Sequence, residues 1–158
     1  PVDGLHGERA EPVVAAGHGD RQRLDQFVRE IERHYFEFEV GSASVSEESE
    51  AVLKKLLQVL LDSDALAQQL GSRVRVEIRG NTTEEGSVEL NQRLARARAQ
   101  GIMSALTVER FQSIDLRLVA ESVEPRVIGE TQDSRSQRAR RVSFHVTVSD
   151  PGSMEPKL

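Results

Sequence analysis

The chain has 158 residues, 37% apolar and 30% charged, which suits one globular domain with a sizeable core. A net charge of -5 and a pI near 5.5 argue against a broad phosphate-binding surface, so nucleic acid is not an expected partner. The absence of cysteine excludes disulfides, thiolate catalysis and cysteine-rich zinc sites.

Residues 1–19 are rich in Gly, Pro, Ala and charge without periodicity, and 149–158 carry two prolines and a glycine; both are expected to be flexible tails around a folded part at 20–148. No run approaches the roughly 20 apolar residues that span a bilayer. The start at Pro1, with neither a charged n-region nor an apolar h-region, suggests an excised soluble piece and leaves an upstream anchor or targeting segment open.

Leu24, Phe27, Val28 and Ile31 recur at helical spacing and predict a short amphipathic helix, after which Phe36, Phe38 and Val40 alternate as a strand. Ser46 is placed to cap a second helix. Glu47, Glu48 and Glu50 suit the positive end of its dipole, and Leu53, Leu56, Leu57 and Leu60 form its apolar stripe. Gly71 ends it. Val74, Val76 and Ile78 then predict a strand over 73–79, a polar loop runs from Gly80 to Ser87, and Ser87 caps a helix from Val88 to about Leu106.

Leu90, Leu94 and Ala97 are the expected buried stripe of that helix. Asn91 and Arg98, seven residues apart, share a line beside it, about 10 Å long at the usual helical rise. Ile114, Leu116, Leu118 and Ala120 predict another strand, and Val142, Phe144, Val146 and Val148 a last one. One-sided strands interleaved with long helices imply an α/β two-layer sandwich, with helices on one face of a mixed sheet.

An ordered set of residues over 36–146 resembles the OmpA-like domain, the periplasmic peptidoglycan-associated module also found in Pal lipoproteins and MotB stators. Phe36 to Glu39 with Gly41-Ser42-Ala43 is similar to the family's opening strand and turn. Val74 to Ile78 is similar to the strand before its G-H-T-D motif. Gly80, Thr82, Gly86, Asn91, Leu94, Arg98 and Ala99 fall at the spacing of the family's loop and helix pattern, and Pro125 and Arg140-Arg141-Val142 resemble its later proline and N-R-R-V segment.

The resemblance implies a βαβαββ order and a non-catalytic module that holds the diaminopimelate of the peptidoglycan stem peptide, in the periplasm or cell envelope. A zwitterionic amino-acid end needs an anion for its ammonium and a cation for its carboxylate; in the family a loop Asp and a helix Arg supply them. The implied ligand-binding residues here are Thr82, Thr83, Asn91, Arg98 and Arg141, with Arg98 at the family's arginine position.

Three positions depart from the pattern. Thr83 stands where the family has Asp, Asn81 where it has His or Tyr, and Ala139 where it has Asn. A hydroxyl carries no charge. Losing a charge-assisted bond of about 1.5–3 kcal/mol predicts binding weaker by about ten- to a hundredfold, unless Glu84 or Glu85 substitutes.

Ordinary alternatives stand beside these roles. Arg98 reads also as a helix-surface arginine paired with a carboxylate, Thr82 and Thr83 as hydroxyls bonding local backbone, Asn91 as a brace for the loop, and the run from Arg135 to Arg141 as a solvated loop and strand entrance. No nucleophile motif or carboxylate pair suggests an enzyme, and the scattered histidines lack metal-site spacing, so neither metal nor cofactor is expected. The competing function is a protein-interaction or assembly scaffold, self-associating or capturing a partner, that keeps the fold without binding peptidoglycan.

Overall fold

The computed structural model of the chain describes residues 19–82, 86–123 and 127–151. Helix α1 occupies residues 19–33. It is followed by β1 (Tyr35–Glu37), α2 (Glu47–Leu70), β2 (Arg73–Thr82), α3 (Val88–Leu106), β3 (Ile114–Val123), α4 (Gln132–Arg138) and β4 (Arg141–Ser149). The sheet order is β1-β4-β2-β3. The crossover through α3 makes β2 and β3 parallel, while β4 is antiparallel to both its neighbours, so the sheet is mixed as the sequence predicts.

Alternation decides which face is buried. Val74, Val76 and Ile78 of β2 stand opposite Val148, Val146 and Phe144 of β4, and these side chains meet the apolar faces of the helices. Leu53, Leu56 and Leu60 come from α2, and Ala99, Ile102 and Leu106 from α3. Leu24 and Ile31 of α1 are fully buried in the same cluster, and the rings of Phe36 and Phe144 meet edge to face with centroids 6.0 Å apart. The other face is polar, with Glu77 paired to Arg79 and Asp115 to Arg117. No helix among the described residues is long and apolar enough to cross a membrane.

The caps fall where the sequence places them. The Ser46 hydroxyl accepts from the Ser49 N–H and the Ser87 hydroxyl from the Leu90 N–H, satisfying donors that a helix start leaves open. Gly71, at φ 69°, closes α2 in the left-handed region.

Four features differ from the sequence expectation. First, β1 ends at Glu37; Phe36 and Phe38 are buried but Val40 is 78% exposed, because the chain turns at Gly41 with φ 71°. Second, β2 continues to Thr82, and its register against β3 shifts between Arg79 and Asn81. That irregularity ends the simple alternation, leaving Gly80, Asn81 and Thr82 all buried.

Third, the buried face of α3 is Ala95, Arg98, Ala99, Ile102 and Leu106, whereas Leu90 is half exposed, Leu94 only partly buried and Ala97 exposed. Small residues face the sheet because the helix backbone lies directly on Gly80, where an added Cβ would stand 2.1 Å from the Ala95 carbonyl oxygen. Fourth, the arginine-rich run before β4 forms the short helix α4, capped by the Thr131 hydroxyl on the Ser134 N–H and held by two Arg138–Glu130 bonds of 2.6 and 2.7 Å.

Long-range polar ties fix the edges of this frame. The buried carboxylate of Asp64, in α2, accepts from the backbone N–H groups of Gln112 (3.0 Å) and Ser113 (2.6 Å), and the Ser113 carbonyl in turn accepts from Val74 N–H. Glu32, in the last turn of α1, accepts from the Val146 N–H at 2.9 Å, beyond the point where the three-residue β1 stops pairing with β4. The last described residues are also tied in: Asp150 accepts from the Ser72 hydroxyl and pairs with Arg21. Of the expected tails at 1–19 and 149–158, residues 1–18 and 152–158 lie outside the described residues, as does Pro125, while Ser149 still belongs to β4.

Gly80→Ala is expected to cost roughly 1–3 kcal/mol in urea unfolding, since α3 must lift off β2. Asp64→Ala is expected to cost roughly 1–3 kcal/mol in the same measurement by leaving backbone donors before β3 without their acceptor. The Arg138 guanidinium holds the Glu130 carboxyl below its ordinary value. The pair's contribution is therefore full above the ordinary glutamate pKa of about 4.3 and is lost as pH falls through the lower folded value. Amide exchange in α4 should accelerate there, and Glu130→Gln should remove that pH dependence.

Candidate functional site

The junction between β2 and α3 is built from the tight contact at Gly80. Because α3 packs against β2 there, Arg98, one turn after Ala95, faces inward and is only 4% exposed. Its Nε donates to the Ser42 carbonyl at 2.8 Å and its Nη2 to the Glu39 carbonyl at 3.1 Å, while the guanidinium carbon lies 5.6 Å from the centre of the Phe38 ring. The fork thus holds the turn after β1. No carboxylate among the described residues pairs with it, so it is not the surface ion-pair arginine of the ordinary alternative.

A cavity of about 250 Å³ opens beside this guanidinium. Asn81 and Thr82 line it from the end of β2, Leu90, Asn91, Leu94 and Arg98 from α3, Val40 and Gly41 from the turn after β1, and Ser136, Ala139 and Arg140 from α4 and the residues after it. Thr82 is buried and Asn91 partly so. Three of the five residues singled out from the sequence, Thr82, Asn91 and Arg98, therefore meet on one wall. Thr83, with Glu84 and Glu85, lies outside the described residues.

Arg141 stands elsewhere. Its register partner is Glu37 on β1, with which it makes an ion pair at 3.1 Å, and its guanidinium covers the Tyr35 ring at 4.1 Å. The neighbouring arginine, Arg140, lines the cavity instead. Helix α4 explains the choice. Arg140 lies just beyond its C-terminus, with Nη1 donating to the Ser136 carbonyl (3.3 Å) and hydroxyl (3.0 Å) and Nε to the Phe38 carbonyl (3.0 Å).

Sequence reasoning missed Arg140 and Asn81. One signal was available for the first: buried Val142 faces the helices, so Arg141, its strand neighbour, faces away. The irregularity that buries Asn81 left no such mark.

Burial and the nearby Arg140 both push the Arg98 guanidinium below its ordinary value. It remains charged at neutral pH, as arginine does in proteins. The site therefore offers oriented cationic donors, two neutral polar side chains at Asn81 and Asn91, the Thr82 hydroxyl, and an apolar mouth at Val40 and Leu90, which are 78% and 50% exposed.

No protein-family model matches the chain, and no curated protein matches it in sequence. Solved structures do. The peptidoglycan-associated lipoprotein from Burkholderia pseudomallei is 23% identical, with 72% of this chain and 89% of that one covered at a TM-score of 0.50. The C-terminal domain of Helicobacter pylori MotB is 19% identical, covering 76% and 89% at a TM-score of 0.53. The OmpA-like domain of FopA1 from Francisella tularensis is 14% identical, covering 73% and 71% at a TM-score of 0.50. With the mixed sheet, the helices on one face and the β2–α3 junction in place, the chain has the OmpA-like fold.

Proposed function

We propose that this chain is a non-catalytic module of the bacterial cell envelope that docks on the stem peptide of peptidoglycan, with a weaker hold than a site carrying Asp at the position of Thr83. The observation that carries this reading is the convergence of Thr82, Asn91 and the buried Arg98 on one cavity at the β2–α3 junction. Among proteins of similar fold is one named for its association with peptidoglycan. A planar guanidinium already oriented by two carbonyls is suited to grip a carboxylate, because little side-chain freedom remains to be lost on binding.

The weaker hold follows from Thr83. Thr83 stands where the resembled family has Asp, so a ligand's ammonium lacks the charged partner that an Asp at that sequence position would supply. The localisation, periplasmic or otherwise in the envelope, belongs to the same proposal.

A second reading is favoured by what Arg98 does without a ligand. Its fork fastens the turn after β1, so the fold has its own use for this arginine and is suited to serve as an assembly scaffold.

Sedimentation with purified peptidoglycan separates the two. Retention of the chain at low salt, reduced at least about tenfold by Arg98→Ala and raised about ten- to a hundredfold by Thr83→Asp, is the expected result. If the wild-type chain stays in the supernatant and instead self-associates in analytical ultracentrifugation, the scaffold reading replaces the first.

A further inference from the structure

The sheet ends on one side at β3, a strand of 10 residues. Among the described residues no strand pairs with its outer edge, and Ile114–Val123 contains neither proline nor lysine, the residues that commonly blunt such an edge. Its pairing with β2 decides which backbone groups point outward. The Val74 N–H donates to the Ser113 carbonyl at 2.8 Å, and Val74, Val76 and Ile78 stand in register with Ile114, Leu116 and Leu118. In a parallel ladder the bonds of those β2 residues run to the residues flanking their register partners, so Asp115 and Arg117 turn their backbone groups towards β2. The N–H and C=O groups of Ile114, Leu116 and Leu118 therefore point away from the sheet, to its open edge.

The side chains along this edge are self-complementary. Asp115 and Arg117 stand on the polar face, 42% and 56% exposed, two residues apart and opposite in charge. Leu116 and Leu118 lie on the helix-facing side but are only partly buried. When two copies of the strand run antiparallel about a two-fold axis at Leu116, each Asp115 stands opposite Arg117 of the other copy, Leu116 opposite Leu116, and Ile114 opposite Leu118. The outward backbone groups of Ile114, Leu116 and Leu118 then meet as hydrogen-bonded pairs, and the charges fall on the non-hydrogen-bonded pairs, where side chains stand closest. Neighbouring registers lose this match. A slip of two residues sets Asp115 against Asp115 or Arg117 against Arg117, and a slip of one sets charged against apolar side chains.

We propose that two copies of this chain join along Ile114–Leu118 of β3 in this register, so that the sheet continues from one subunit into the other. The inference goes beyond the docking and scaffold readings and needs neither. These residues run beside Val74–Ile78, whereas Asn81 and Thr82 of the cavity lie at the other end of β2.

Amide hydrogen exchange of the wild-type chain, followed from dilute solution up to about 1 mM, where even a weak specific pair is populated, tests the edge. Exchange at Ile114, Leu116 and Leu118 is expected to slow by about tenfold or more as concentration rises, with little change at Asp115 and Arg117, whose N–H groups already bond to β2. In analytical ultracentrifugation Arg117→Asp and Asp115→Arg each set like charges opposite one another twice, and each is expected to weaken self-association by about tenfold or more. Mixing the two variants sets opposite charges face to face again and is expected to restore association to within about threefold of wild type, which also shows that both are folded.

A wild-type chain that stays monomeric at the highest concentration overturns the proposal, as does a dimer that leaves the three amides unprotected, or charge-reversed variants that associate as the wild type does. Slowed exchange at these amides only when an extended peptide is added, with the chain itself monomeric, assigns the edge to a foreign strand and equally overturns it. Peptidoglycan sedimentation of the same chain is read separately, so neither result decides the other.

Discussion

Helix α3 can lie against β2 only because Gly80 has no side chain. The backbone at Ala95 occupies the space a Cβ would need, and that closeness sets the rotation of the whole helix. Alanines at 95 and 99 then face the sheet, the larger Ile102 and Leu106 fill the core where the elements diverge, and Arg98 is carried inward with them. A bulkier residue at 80 would spread the layers and turn the guanidinium away from the carbonyls it now meets. One missing side chain thus connects the packing of the sandwich to the charge at its rim.

The same geometry puts Arg98 both under the turn after β1 and on the wall of the cavity. Its Nε and one Nη fasten the turn after β1, and the residue also lines the cavity. The carbonyls that fix the guanidinium also set its orientation beside the cavity. Arg140 repeats the arrangement from the other wall, anchored on Phe38 and Ser136. The turn and α4 are thereby both linked to the site through backbone oxygens.

Period and caps made most of the frame legible. Ser46 and Ser87 gave the helix starts, and Val74-Val76-Ile78 and Val142-Phe144-Val146 gave the buried side of the sheet, because these signals are local and repeat with the element. The buried face of α3 was not legible from hydrophobicity: Leu90 and Leu94 outrank Ala95 and Arg98 on any transfer scale, but close approach to a glycine rewards smallness, and that condition is set by another strand. For the site, the ordered motif located Thr82, Asn91 and Arg98, all attached to one strand–helix unit. Arg140 depends on a seven-residue helix that no apolar period announces, and the place of Asn81 depends on a register shift between strands far apart in sequence.

The carboxylate of Glu32 at the Val146 N–H has a bearing on the behaviour of the protein in a crowded compartment. Where β1 stops, β4 would otherwise display a bare donor along an open rim, the geometry on which an extended foreign segment can template itself. A side chain from α1 fills that position with an acceptor and a negative charge, so an arriving strand would have to expel an ion before its first rung could form. The stretch of β4 that the short β1 leaves uncovered is thus guarded by a helix, and strand addition at that donor is opposed by the fold itself.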